Sequence, residues 1–207
     1  MTCQLRMIVL VFVTLVSGLS QASQSTVLVL GDSLSAAYGV QTEQAWVALL
    51  KQRLNHQGLG QWQVVNASIS GETTDGGLRR LPALLSQHTP DIVVIELGGN
   101  DGLRGFPPQV IEENLDQLIS LSVAAGAQPL LIGIQIPPNY GPRYTTQFAN
   151  IYPNLADRHN IALVPFFLQG IYDQEGMMQG DGIHPTTAAQ GQLLDNVWPQ
   201  LEVLLAQ

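Results

Sequence analysis

Four short blocks of this 207-residue chain hold residue types that can do acyl-transfer chemistry. They are Gly31-Asp32-Ser33-Leu34-Ser35, the stretch from Asn66 to Thr73, Gly98-Gly99-Asn100-Asp101-Gly102, and Asp181-Gly182-Ile183-His184-Pro185. A serine hydroxyl is a weak nucleophile until a base takes its proton. Of the four histidines, His56, His88 and His159 lie in or near helix-like segments with no polar block around them. Ordinary structural roles are expected for those three. His184 alone sits in a suitable loop, and Asp181 precedes it by three residues. One turn of backbone can aim that carboxylate at the imidazole and select its tautomer. Acyl transfer also needs donors for the developing oxyanion. Gly71 can offer an unobstructed N–H, Asn100 a side-chain amide and Ser33 its own N–H. The G-x-S-x-G elbow of α/β-hydrolases is absent, because the serine block lacks the second glycine.

Each block has a plainer reading when taken alone. Gly-Asp-Ser makes a good turn and helix cap, Gly-Gly-Asn-Asp-Gly a good loop, and a lone histidine a surface residue. Only convergence on one rim makes them a site, and that depends on the elements between them. Apolar or β-branched runs at residues 26–30, 63–67, 91–97, 129–134 and 162–166 read as strands. Helical spacing appears at 43–56, 77–87, 109–125, 144–159 and 186–205. The helix over 109–125 is expected to bury Ile111, Leu115, Leu118, Ile119 and Val123. Pro82 is expected in the first turn of its helix, and Pro199 to kink or break the last one. Pro185 is expected to start that last helix, and Phe148, Phe166 and Phe167 to belong to the core. Strands alternating with helices predict an α/β fold with a five-stranded parallel sheet covered on both faces. Ligand sites in such sheets form beyond the C-terminal strand ends, where all four blocks fall.

These blocks, in this order, resemble those of the SGNH (GDSL-type) hydrolase superfamily: Gly-Asp-Ser at 31–33, Gly71, Gly-Gly-Asn-Asp at 98–101 and Asp-Gly-Ile-His-Pro at 181–185. The longer strings LGDSLSA, VVNASISG, ELGGNDGLRG and GDGIHP are similar to those of the bacterial multifunctional thioesterase I, lysophospholipase and arylesterase group. The resemblance implies a flavodoxin-like three-layer α/β/α sandwich that needs no metal or cofactor. It implies Ser33 as nucleophile, His184 as base and Asp181 as its orienting acid. Ser33, Gly71 and Asn100 would form the oxyanion hole. The loop from Leu103 to Pro108 and the stretch from Ile136 to Tyr140 correspond to segments lining the acyl pocket, and the apolar Leu103, Phe106 and Ile136 suit an acyl chain. Gly180 departs from the longer pattern, where relatives often carry a second acid.

The net charge of −8 argues against nucleic acid or anionic lipid surfaces as main partners. Arg6, the apolar stretch 7–16 and Ser20-Gln21-Ala22 read as a signal peptide over residues 1–22. The apolar stretch is about half the roughly 20 residues that span a bilayer, so stable membrane insertion is not expected. A single catalytic domain over 23–207, periplasmic or secreted and monomeric, is expected. The only cysteine, Cys3, leaves with the signal segment, so the mature chain carries no disulfide. The expected activity is a serine esterase acting on acyl esters and thioesters, including aryl esters and lysophospholipids with medium or long chains. The alternatives are a carbohydrate O-acetylesterase using the same parts and a non-catalytic lipid-binding protein. A metallohydrolase built on Asp32, Asp101, Asp181 and His184 has a poor zinc inventory, with one histidine and no cysteine.

Overall fold

The computed structural model describes residues 25–207, so the expected signal peptide lies outside the described residues. Five strands form one parallel sheet: β1 (Ser25–Gly31), β2 (Trp62–Asn66), β3 (Ile92–Glu96), β4 (Gln128–Ile132) and β5 (Ala162–Val164). Their order is β2-β1-β3-β4-β5. The central strands are continuous apolar runs because helices cover both their faces. Val27 to Leu30 and Ile92 to Ile95 are fully buried.

Among the described residues, six α-helices complete the fold: α1 (Trp46–His56), α2 (Thr74–His88), α3 (Gly99–Leu103), α4 (Pro108–Ala124), α5 (Pro142–His159) and α6 (Gln190–Leu205). Helices α1 and α6 pack together against one face, and α2, α4 and α5 against the other. The chain steps outward from β1 to β2, then returns past β1 to β3. That reversal opens a crevice at the C-terminal ends of β1 and β3, where the Ser33 and Asn100 blocks begin.

Several local expectations are corrected. Helix α2 starts at Thr74, three residues before the apolar periodicity does, so Pro82 stands mid-helix rather than in the first turn. The Thr73 hydroxyl accepts the Gly76 N–H at 3.2 Å, and the buried Asp101 carboxylate accepts the Thr74 N–H at 3.0 Å. These acceptors satisfy first-turn donors that would otherwise be orphaned. In α4, Ser122 is buried in place of Val123, which is 53% exposed. The Ser122 hydroxyl donates to the Leu118 carbonyl at 2.8 Å, so burying it leaves no unpaired polar group. Pro185 does not start a helix. It pairs with Met178 in an isolated bridge, and the chain turns through Thr187–Ala189 before α6. Helix α6 runs unbroken through Pro199. Phe148 and Phe167 are buried, whereas Phe166 is half-buried beside Tyr172.

Candidate active site

The β1 strand ends at Gly31, and the next residues turn sharply. The Asp32 carbonyl accepts the Ala36 N–H at 2.9 Å, and its Oδ1 accepts the Leu34 N–H at 3.0 Å. This local side-chain bond is the turn-stabilising role its position predicts. Asp32 is nearly fully buried, and that burial raises its carboxyl pKa to about 6.

Ser33 is half-exposed on this turn. Its Oγ lies 2.9 Å from His184 Nε2. His184 Nδ1 lies 2.7 Å from Asp181 Oδ2. An ionised carboxylate only accepts, so Nδ1 carries the proton and Nε2 faces Ser33 as an acceptor. Asp181 Oδ1 also accepts the backbone N–H groups of Ile183 and His184, at 2.9 and 3.0 Å. The His184 bonds, backbone first and then ring, lower the Asp181 pKa to about 2. The histidine loop is tied to the serine turn by Gln179. Its side-chain amide donates to the carbonyls of Tyr38 and Pro185, each at 3.0 Å. The Tyr38 ring lies against the imidazole, with centroids 4.2 Å apart.

The other two blocks border the same turn. Gly71 adopts φ +79°, a left-handed conformation that suits glycine, in the loop after β2. Its N–H has no hydrogen-bond partner among the described residues, and nor does that of Ser33. Arg80 braces this loop, donating to the Glu72 carboxylate at 2.5 Å and to the Ala67 carbonyl. Arg104 donates to the Gly71 carbonyl at 3.0 Å. Asn100 lies in the first turn of α3, a short helix where a loop was expected. One of its two amide protons goes to Asp32 Oδ2 at 2.8 Å, which leaves the other unspent. The Asp101 carboxylate is committed to Thr74. Among the described residues, no three His, Cys, Asp or Glu side chains converge to hold a metal ion.

The three expected acyl-pocket residues differ in placement. Phe106 is 37% exposed and Leu103 half-buried, but Ile136 is only 8% exposed, packed toward the backbone of Gly102. Two tyrosine hydroxyls hold the segment after α3: Tyr140 donates to the Leu103 carbonyl at 2.8 Å, and Tyr144 to the Phe106 carbonyl at 2.6 Å. Sequence reasoning missed Tyr38, Arg80 and Tyr144, and it placed Arg104 and Tyr140 in the expected pocket segments without their bonds, because long-range side-chain bonds leave no local pattern.

A parallel sheet with a hydrogen-bonded Ser-His-Asp chain and unspent N–H donors at its C-terminal rim is the architecture of an acylhydrolase. A family model described as the GDSL-like Lipase/Acylhydrolase family matches residues 29–191. The chain belongs to that family and is an ester hydrolase. It is 57% identical over 185 residues to Esterase TesA of Pseudomonas aeruginosa, a match covering 89% of this chain and 92% of that one. It is 50% identical over 184 residues to thioesterase 1/protease 1/lysophospholipase L1 of Escherichia coli K12, covering 89% and 86%. The fold superposes with a TM-score of 0.83 on psychrotrophic esterase EstA from Pseudoalteromonas sp., crystallised as inhibited by monoethylphosphonate. That pair is 44% identical and covers 88% of this chain and all of the other (100%).

Proposed function

We propose that this esterase works through an acyl-enzyme on Ser33, with His184 as general base and Asp181 as its orienting acid. The observation that carries the reading is the unbroken chain from Ser33 Oγ through both imidazole nitrogens to Asp181. Ser33 Oγ attacks the substrate carbonyl carbon as its proton passes to His184 Nε2. The carbonyl oxygen becomes an oxyanion, received by the N–H groups of Ser33 and Gly71 and the second amide proton of Asn100. The imidazolium, stabilised by Asp181, then gives its proton to the leaving alcohol or thiol. Water repeats the sequence on the acyl-enzyme and releases the carboxylic acid.

The proposed substrates are acyl esters and thioesters with medium or long chains, including aryl esters and lysophospholipids. The exposed Phe106 and half-buried Leu103 beside the rim support an acyl-chain contact. The proposed working form is an exported monomer, the export resting on the signal-peptide pattern of residues 1–22. Among the described residues, no helix is long and apolar enough to cross a membrane.

The test is hydrolysis of p-nitrophenyl esters from acetate to palmitate, with and without a chelator. Octanoate and longer esters are expected to be cleaved at least as well as acetate, with no loss to the chelator. Activity confined to acetate would instead select a carbohydrate O-acetylesterase.

Asn100→Ala is expected to lower kcat by roughly 10²–10³-fold, about 2.7–4 kcal/mol, with little change in KM. Its amide is directed at the charge that appears only as the carbonyl is attacked. Steady-state kinetics on one p-nitrophenyl ester suffices, and an effect on KM alone would remove Asn100 from the oxyanion hole.

A further inference from the structure

Glu96 closes β3 and is completely buried. It is a carboxyl group for which the chemistry above has no use. Its Oε2 accepts two bonds, from the Asp32 backbone N–H at 3.3 Å and from the Ser35 hydroxyl at 2.7 Å. The Ser35 Oγ also lies 3.2 Å from Trp46 Nε1. An indole N–H can only donate. Ser35 therefore accepts from Trp46 and gives its one proton to Glu96, and the direction of the chain is settled. Ser35 and Trp46 are themselves fully buried.

Burial, followed by the neighbouring charge of Asp32, pushes the Glu96 carboxyl well above the usual range. Oε2 alone holds both donors. Oε1 has no hydrogen-bond partner among the described residues.

An apolar side chain would fill this position without desolvating a polar group, so the carboxyl needs a reason to be there. Gly31 pairs with Glu96 across β1 and β3, and a Cβ on Gly31 would stand 2.7 Å from Glu96 Oε2. The end of β1 thus lacks a side chain where the carboxyl enters. Four residues beyond Glu96 comes Asn100, whose amide bonds the Asp32 carboxylate. Asp32 is gripped twice from the same segment, through its backbone by Glu96 and through its side chain by Asn100. Ser33 is the next residue.

We propose that Glu96 is a positioning residue for ester hydrolysis: its Oε2 clamps the turn of residues 32–35 to the end of β3, holding Ser33 at a fixed separation from the Asn100 amide. Oxyanion donors work only when aimed at the position the oxygen will occupy, and a misplacement of about 1 Å can cost roughly 10²-fold. The clamp therefore acts on kcat and leaves substrate binding alone. The inference rests on Ser33 being the nucleophile.

The experiment compares wild type, Glu96→Leu, Glu96→Gln and Ser35→Ala, counting active sites with a fluorophosphonate probe and mapping the label by peptide mass. In Glu96→Leu, kcat per labelled site on p-nitrophenyl butyrate is expected to fall about 10²-fold with KM unchanged. Glu96→Gln keeps a carbonyl oxygen for both donors and is expected to restore most of that loss. Ser35→Ala, which loses only the hydroxyl link, is expected to fall between the two. A fully labelled Glu96→Leu protein with wild-type kcat overturns the proposal. So does a Glu96→Gln protein as slow as Glu96→Leu, because the acceptor would then not be the operative feature. Should Glu96→Leu not fold, Ser35→Ala decides, and wild-type kcat per site in that variant overturns the clamp. A wild-type protein that hydrolyses the ester but takes no label at Ser33 overturns the nucleophile assignment instead.

Discussion

Ser33→Ala is expected to abolish turnover, with kcat falling about 10⁶-fold, as removal of the nucleophile does in comparable triads. The chain carries a second hydroxyl two residues on, and the structure indicates why it cannot take over. Ser35 is fully buried, with its hydroxyl committed to Glu96 and Trp46. Ser33 stands at the rim and bonds only His184 through its side chain among the described residues. Its loss should leave the fold intact, since a half-exposed side chain outside the core contributes little to stability. Release of p-nitrophenol, measured beside thermal unfolding, checks both halves. A folded variant retaining a few per cent of wild-type activity would show that Ser33 is not the nucleophile.

Asp181→Asn is expected to cost about 10⁴-fold in kcat. Asp181 accepts three bonds, two from backbone N–H groups and one from the ring. An asparagine can keep its oxygen on the backbone donors, but its NH₂ then faces Nδ1. The ring nitrogen must become an acceptor, the proton moves to Nε2, and the imidazole presents a donor to Ser33 where a base is needed. The loop is expected to stay folded, because the backbone bonds survive. The sign of the acid dependence follows from the lowered pKa. The ionised carboxylate contributes stability above its ordinary pKa of 3.8, and that contribution is lost as pH falls through about 2. The stability difference between wild type and Asp181→Asn arising from this group should therefore shrink only below about pH 4. Chemical denaturation at pH 3 and pH 5, with kcat measured at pH 7.5, tests the two expectations separately. Activity within tenfold of wild type would remove Asp181 from the proposed triad.

Asp32 combines a bond that is local in the chain with one that crosses the sheet. Its bond to the Leu34 N–H is local and follows from an aspartate two residues before a free backbone donor. Its bond to Asn100 spans 68 residues and depends on β1 lying beside β3. The helix boundaries divide in the same way. Apolar spacing located the body of α2, but its first turn depends on a carboxylate delivered from Asp101, 27 residues later. In α4 the periodicity extended to Val123, yet Ser122 turns inward because it can satisfy itself on the preceding turn.

By itself the sequence determined which chemistry was available. One serine block, one histidine in a polar loop and an aspartate three residues before it are legible because each motif is short and contiguous. The five strands were legible because burial on both faces leaves uninterrupted apolar runs. Tertiary structure alone decided that the strand order is β2-β1-β3-β4-β5, that Ser35 is buried against Glu96 and Trp46, and that Ile136 is buried while Phe106 is exposed. It alone turned Glu96, the single charged residue inside an apolar strand, into a partner of the serine turn. The physical reason is distance along the chain. Periodicity and turn chemistry are short-range signals, whereas the bond between Ser33 and His184 joins residues 151 apart and exists only once the sheet has set their loops side by side.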